Sequence, residues 1–169
     1  MISIDGRCAS GKTTLADLLK QIYDCNVFKM DDFFLQPFQR TKERLESPGE
    51  NVDHERFKEE ILIPLSKHED VKLRRFNCST KSIESAILIP YKPFKIIEGS
   101  YSMHSNLQKY YDSSVFLTVN KDEQLSRLKK RNPKMLNNFI QRWIPLEETY
   151  FNTFSIQDKC NIQIDTSKA

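Results

Sequence analysis

The sequence predicts an α/β protein built on a mostly parallel sheet, in a single domain spanning 1–169. Three observations carry that prediction. Short apolar runs alternate along the chain with segments of helical period. The first apolar run opens directly into a glycine-bounded loop and then a helical segment, which is the order of a strand–loop–helix unit. The 169 residues hold only four glycines, with no internal repeat and no linker-like stretch, which suits one core and not a string of modules. Aromatic residues at 11% and charged residues at 29% exclude a disordered or low-complexity chain.

Taken in order, residues 2–5 form a short apolar strand, and 12–24 carry Leu15, Leu18, Leu19 and Ile22 at helical spacing. Residues 27–30 read as a second strand. Residues 31–53, with Pro37, Pro48 and Gly49 and no clean period, read as a long functional loop. Residues 54–67 return to helical period, with Phe57, Ile61, Leu62 and Leu65 on one side and Pro64 bending the helix late. Residues 71–76 and 86–89 can pair as an antiparallel ribbon. Residues 94–97 form a buried-type strand ending at Glu98, and 115–119 form another. A charged helix follows at 121–131, one or two helices broken near Pro145 occupy 134–153, and 162–165 close the sheet. In the last helical region Trp143, Tyr150, Phe151 and Phe154 are expected in the core.

Charge and cysteine usage bound the partners. With 26 Lys and Arg against 23 Asp and Glu the net charge is +3, too mild to imply nucleic-acid binding and compatible with small anionic molecules. Cys8, Cys25, Cys78 and Cys160 show no paired ligand spacing and read as reduced thiols, hence a cytoplasmic protein. The longest apolar runs, at 61–63 and 86–89, are too short to span a membrane. Asp5 and Arg7 interrupt any leader-type apolar stretch. The expected partner is therefore a small molecule, with no nucleic acid or membrane involved and homo-oligomerisation left open.

One segment carries chemistry outright. Gly6-Arg7-Cys8-Ala9-Ser10-Gly11-Lys12-Thr13 matches G-x-x-x-x-G-K-[ST] at every fixed position, between an apolar strand and a helical segment. The glycines let the backbone wrap a phosphate with its N–H groups inward, and the helix that begins there, with Thr14 in its first turn, aims its positive end at the anion. Lys12 supplies a compact charge to the β- and γ-phosphates, and Thr13 offers a hydroxyl to Mg²⁺. Cys8, inside the loop, reads as an inert buried thiol.

Neighbouring motifs narrow the class. No aspartate has a glycine three residues on, as a GTPase metal switch requires, and Asn120-Lys121-Asp122-Glu123 ends in Glu where guanine recognition needs Asp. A motor ATPase would place an acidic pair at a strand end, whereas Glu98 stands alone before Gly99. A small phosphotransferase fits the length, and it needs a carboxylate for the acceptor hydroxyl. Asp31 and Asp32 stand at the end of the second strand, on the same sheet edge as the phosphate loop, although turn chemistry alone also accounts for paired aspartates there.

Together the phosphate loop, Asp31 with Phe33-Phe34, Asn51-Val52-Asp53-His54 and Glu98-Gly99 resemble the uridine/cytidine kinases and their bacterial uridine kinase-like relatives, a group that includes pantothenate kinase and phosphoribulokinase. The resemblance runs from Ile2 to about Asp165. It implies a P-loop kinase fold: a five-stranded, mainly parallel sheet with flanking helices, a small substrate-side β ribbon and a short Arg-bearing lid. It implies ATP and Mg²⁺ and transfer of the γ-phosphoryl group to a hydroxyl, most typically of a nucleoside. By position, Asp31 matches the carboxylate that activates the acceptor hydroxyl, Asp53 the one that binds the ribose hydroxyls, and Glu98 the acidic residue at the metal. Arg131 matches a lid arginine over the transferring phosphoryl group, with Arg127 a weaker match, and Phe34 falls where the sugar–base pocket is lined. The segment Arg74-Arg75-Phe76-Asn77-Cys78-Ser79-Thr80-Lys81 departs from the family, with Phe76 near a base-reading Tyr and no His. Arg74 and Arg75 suit an anionic acceptor or a plain solvated face. A kinase of another hydroxyl compound, such as a sugar phosphate or vitamin precursor, and a non-catalytic nucleotide-binding protein are the alternatives.

The histidines read as peripheral. His104 is expected to be exposed, His54 to cap or pack at a helix start, and His68 to lie at a polar helix end.

Overall fold

Five parallel strands carry the fold, and the three in the middle of the sheet are largely buried. The computed structural model describes residues 1–168. Strand β1 (Ile2–Gly6) leads through the phosphate loop to helix α1 (Lys12–Ile22) and then to β2 (Cys25–Lys29). The remaining sheet strands are β7 (Phe94–Glu98), β8 (Ser113–Thr118) and β9 (Ile162–Asp165), in the order β2-β7-β1-β8-β9. β1 thus lies between β7 and β8, paired Ile4 to Glu98 on one side and Gly6 to Leu117 on the other. The order turns back at β1, so the carboxyl ends of β1, β2 and β7 open on the crevice where doubly wound sheets bind ligands. The sheet is the expected five-stranded parallel one.

Alternation along the strands builds a core on each face. Ile4, Ile96, Val115 and Leu117 face α1 through Ala16, with Leu15 and Leu19 partly buried against them. Phe28, Ile97 and Phe116 face the other way, onto Phe33, Phe57, Ile61, Leu62, Tyr150 and Phe151. Each fully buried side chain of that size is worth roughly 1.5–3 kcal/mol. The α1 face is shallower than its spacing suggests. Leu18 and Ile22 are exposed, because only one side of α1 meets the sheet.

Between β2 and β7 the chain is more structured than a loop. It makes single 3₁₀ turns at Met30–Asp32 and Pro37–Gln39, helix α2 (Lys42–Glu46), and a bridge that pairs Phe34 with Val52. Helices α3 (His54–Phe57) and α4 (Ile63–Ser66) are joined by a π-turn at Lys58–Leu62. The expected ribbon forms as two short pieces, β3 (Val71–Leu73) with β6 (Ile87–Ile89) and β4 (Phe76–Asn77) with β5 (Ser82–Ile83), both antiparallel.

After β8 come α5 (Lys121–Arg131), a 3₁₀ turn at Pro133–Met135, α6 (Leu136–Asn138), a π-turn at Phe139–Trp143, α7 (Ile144–Phe154) and α8 (Ile156–Lys159). The expected break near Pro145 is not a break. The helix runs on, because a wider π-turn ahead of the proline absorbs its missing donor and the bulk of its ring. Pro64 is handled in the same way, and the two sites share the string Ile-Pro-Leu. Trp143, expected in the core, instead lies at the surface edge-on to Phe139 with 4.6 Å between ring centroids. It falls on the outward side of the π-turn. No helix among the described residues is long and apolar enough to cross a membrane.

Gly6 is the tightest point of the sheet edge. Its φ is +133°, and a Cβ there would lie 2.0 Å from the Leu117 carbonyl oxygen. The substitution Gly6→Ala is therefore expected to cost more than about 2 kcal/mol, read as the shift in urea midpoint. A variant as stable as the wild type would contradict the close approach of β1 to β8.

Candidate active site

Residues 6–13 form the loop from β1 to α1, and its carbonyls are satisfied from behind. Lys12 Nζ donates to the carbonyls of Gly6 (2.6 Å) and Arg7 (2.9 Å), and Gln124 Nε2 donates to that of Cys8 (3.0 Å). Arg127 donates to Ala9 O at 3.3 Å, and the Thr166 hydroxyl to Ser10 O at 2.9 Å. Opposite them, α1 opens at Gly11, which has no side chain to cap the first-turn amides. Those N–H groups are the donors an anion takes at a helix start. The Ser10 hydroxyl is buried without a hydrogen-bond partner among the described residues, as befits a group waiting for a ligand.

At the loop's exit Thr13 Oγ1 donates to Glu98 Oε1 across 3.2 Å. Burial holds the Glu98 carboxyl above its ordinary range; the charge of Asp31 adds to the rise, and Lys12 and Lys29 oppose it. Asp31 lies exposed on the 3₁₀ turn after β2, whose last residue, Lys29, pairs with Glu98. Two carboxylates and a hydroxyl in one corner, next to an ammonium, are the oxygen donors a hard divalent cation takes. These residues fit Mg²⁺.

The other expected site residues each meet a partner within the chain. Asp53 is buried and caps α3, accepting from Arg56 N at 3.1 Å and pairing with Arg56 Nε at 3.4 Å. The Arg56 guanidinium also covers the Phe33 ring at 4.1 Å and donates to the Arg74 carbonyl. Phe34 is half-buried at its bridge to Val52, and Phe76 is buried in β4 opposite Ile83. Arg74 pairs with Glu60, and Arg75 with Asp32 at 3.3 Å. Arg7 ties the loop to the sheet and to α7. Its N–H donates to Leu117 O, and its guanidinium forks onto Glu148 at 2.6 and 3.0 Å and reaches Thr118. Arg127 props the loop from behind through Ala9 and Thr166. Arg131 lies exposed at the end of α5, 5.8 Å from the Phe139 ring and near enough for its charge to act on Cys8. Burial pushes the Cys8 thiol far up and Glu147 adds to it, which agrees with an inert sulfur.

Two buried carboxylates escape a reading of the sequence. Asp5, the last residue before the loop's first glycine, accepts from Gly6 N (2.7 Å), Met103 N (2.9 Å) and the Tyr150 hydroxyl (2.9 Å). Its one sequence signal is a charge ending an apolar strand, which demands buried partners. Glu147 accepts from Cys8 N at 2.9 Å and from the Ser100 hydroxyl at 2.7 Å. Nothing in its neighbourhood marks it.

His104, expected to be exposed, is buried and stacked on His54 at 3.9 Å, because the turn after β7 folds under the segment before α3. Both rings meet Glu50, through His54 Nε2 at 2.9 Å and His104 Nε2 at 3.4 Å. Two histidines and a carboxylate are a donor set that transition metals accept. The Asn106 amide, however, donates to His104 Nδ1 at 3.3 Å. That leaves the proton of the neutral ring on Nε2, where it points at Glu50 and not at a metal. The cluster is a hydrogen-bonded clamp between the two segments.

No protein-family model matches the chain, and no curated protein matches it. Solved structures do. A possible uridine kinase from Bacillus stearothermophilus superposes with a TM-score of 0.73 at 21% identity, over 97% of this chain and 87% of the other. A candidate fructose transport system kinase from Silicibacter sp. TM1040 gives 0.73 at 20% identity, over 96% and 88%. D-glycerate 3-kinase from Cryptococcus neoformans gives 0.57 at 14% identity, over 87% and 77%. These likenesses show the fold, that of the P-loop kinases.

The clamp gives the protein an acid-sensitive side. Burial lowers the His104 pKa from 6.5 to about 4, and the charge of His54 adds to this. Between those values the unfolded chain takes up a proton that the folded chain refuses, so this contribution to stability falls as the pH falls. Asp5 works in the opposite sense, since burial raises its carboxyl from 3.8 to about 6 and the folded chain holds that proton longer. His104→Gln keeps a donor for Glu50 and removes only the first contribution. Its melting temperature is expected to drop less on acidification from pH 6.5 towards 4 than that of the wild type, by roughly 3 °C or more. Equal drops would refute the buried neutral state of His104.

Proposed function

We propose that this chain is a small-molecule kinase that moves the γ-phosphoryl group of ATP to a hydroxyl of a small metabolite. The observation that carries the reading is the corner where Thr13 meets Glu98 beside Asp31, at the exit of a loop that leads into the uncapped first turn of α1. A P-loop fold alone would suit many activities. A carboxylate exposed at that corner suits phosphoryl transfer to an alcohol.

In this reading Lys12 and the first-turn amides of α1 hold the phosphates. Thr13 and Glu98 hold Mg²⁺, which when bound neutralises charge on the phosphate oxygens. Asp31 receives the hydroxyl proton of the acceptor and keeps its oxygen in line. Arg131 closes over the phosphoryl group from the lid, its guanidinium matched to equatorial oxygens.

For the acceptor, the resemblance favours a nucleoside. A second reading is favoured by Asp53, whose carboxylate is already capped by α3 and paired with Arg56, and by the missing base-reading side chains at 74–81. An acceptor smaller than a nucleoside, such as a sugar or a hydroxy acid, needs neither group. The neighbours named for fructose and glycerate agree with that second reading.

ADP release from Mg·ATP, measured against nucleosides, sugars, sugar phosphates and hydroxy acids, tests the activity and sorts the two acceptor classes. Asp31→Asn is expected to lower kcat by about 10²–10⁴-fold and to leave ADP binding within roughly twofold. Turnover retained in that variant would remove Asp31 from the role of base.

A further inference from the structure

Glu147 and Glu148 are consecutive residues of α7, and they grip consecutive residues of the phosphate loop. Glu148 takes the Arg7 guanidinium in a two-pronged pair. Glu147, buried, takes the Cys8 N–H on Oε2 and the Ser100 hydroxyl on Oε1. The helix that carries them continues back through the π-turn and α6 to the segment that follows Arg131. A carboxylate is thus hydrogen-bonded into the loop that is built to receive phosphate, and it is fixed to the lid.

A ligand shifts a conformational equilibrium only through a difference in its interaction with the two states. The charge of Glu147 supplies that difference, because a polyanion entering the loop repels a carboxylate bonded to the same loop. We propose that Glu147 is a positioning residue through which phosphate in the loop displaces the lid helix and so sets Arg131 for transfer. This rests on the reading of residues 6–13 as the nucleotide site.

The geometry offers a variant that separates charge from shape. In Glu147→Gln the amide oxygen accepts the Cys8 N–H as before. The amide nitrogen donates to Ser100 Oγ, whose own hydroxyl turns to the Gly6 carbonyl, 3.2 Å away. Every hydrogen bond has a replacement and only the charge is lost. The single tryptophan of the chain, Trp143, lies one helical turn before Glu147 and reports on the lid.

The experiment titrates full-length wild type and Glu147→Gln with Mg·ADP and with a non-hydrolysable Mg·ATP analogue, reading affinity by calorimetry and Trp143 by fluorescence. The wild type is expected to bind with a change in Trp143 emission. Glu147→Gln is expected to bind about three- to tenfold more tightly and to lose more than half of that change. A merely structural Glu147 would leave both readouts at wild-type values, and that result would overturn the proposal. So would wild-type binding without any Trp143 response. Failure of the wild type to bind either nucleotide would instead sink the nucleotide-site reading itself, and the proposal with it.

Discussion

The carboxylate of Asp5 is buried at the end of the central strand, and three segments converge on it. The amide of Gly6 opens the phosphate loop, the amide of Met103 belongs to the turn after β7, and the hydroxyl of Tyr150 comes from α7. An ionised group in that position is costly unless every lone pair has a donor. Burial pushes the Asp5 carboxyl up to about 6, and the same three donors, helped by Lys12, hold it from rising further. These hydrogen bonds keep loop, turn and helix together. Glu98 at the end of β7, Ser100 after it and Glu147 on α7 all take their places from segments tied to this one residue.

The loop is shaped from its rear side. Gln124 and Arg127 of α5, Thr166 after β9 and Lys12 itself satisfy its carbonyls in turn. Its first three amides are held within the protein, Gly6 N by Asp5, Arg7 N by the Leu117 carbonyl and Cys8 N by Glu147, while α1 opens at Gly11 with no side chain to cap its first-turn amides. Those first-turn amides are the donors an anion takes at a helix start.

Much of this was legible before any coordinates. The alternation of apolar runs and helical segments marked all five sheet strands, and the motif at 6–13 marked the crevice. Thr13 meets Glu98, and Asp31 lies near enough for its charge to act on Glu98, because a parallel sheet with short loops leaves its strand ends little freedom. Asp53 and Arg7 were less legible. A carboxylate ahead of a helix serves equally as a cap or as a ligand, and in the fold Asp53 meets Arg56, three residues on. His104 illustrates the same limit. Its burial depends on the Glu50 segment lying across it, a tertiary contact with no local pattern. Glu147 leaves no trace at all, since an acidic residue on a helix near an aromatic face is ordinary in sequence and becomes special only through Cys8 and Ser100.

The π-turn at Phe139–Trp143 has a meaning for how this chain can vary. One residue turns an α-helix by about 100°, so the extra residue in that turn decides which side chains of α7 point inward. With it, Glu147, Tyr150 and Phe151 face the loop and the core. Removing one residue from that turn would rotate α6 against α7 by about that angle. The number of residues in that turn therefore sets how the segment before it lies against α7.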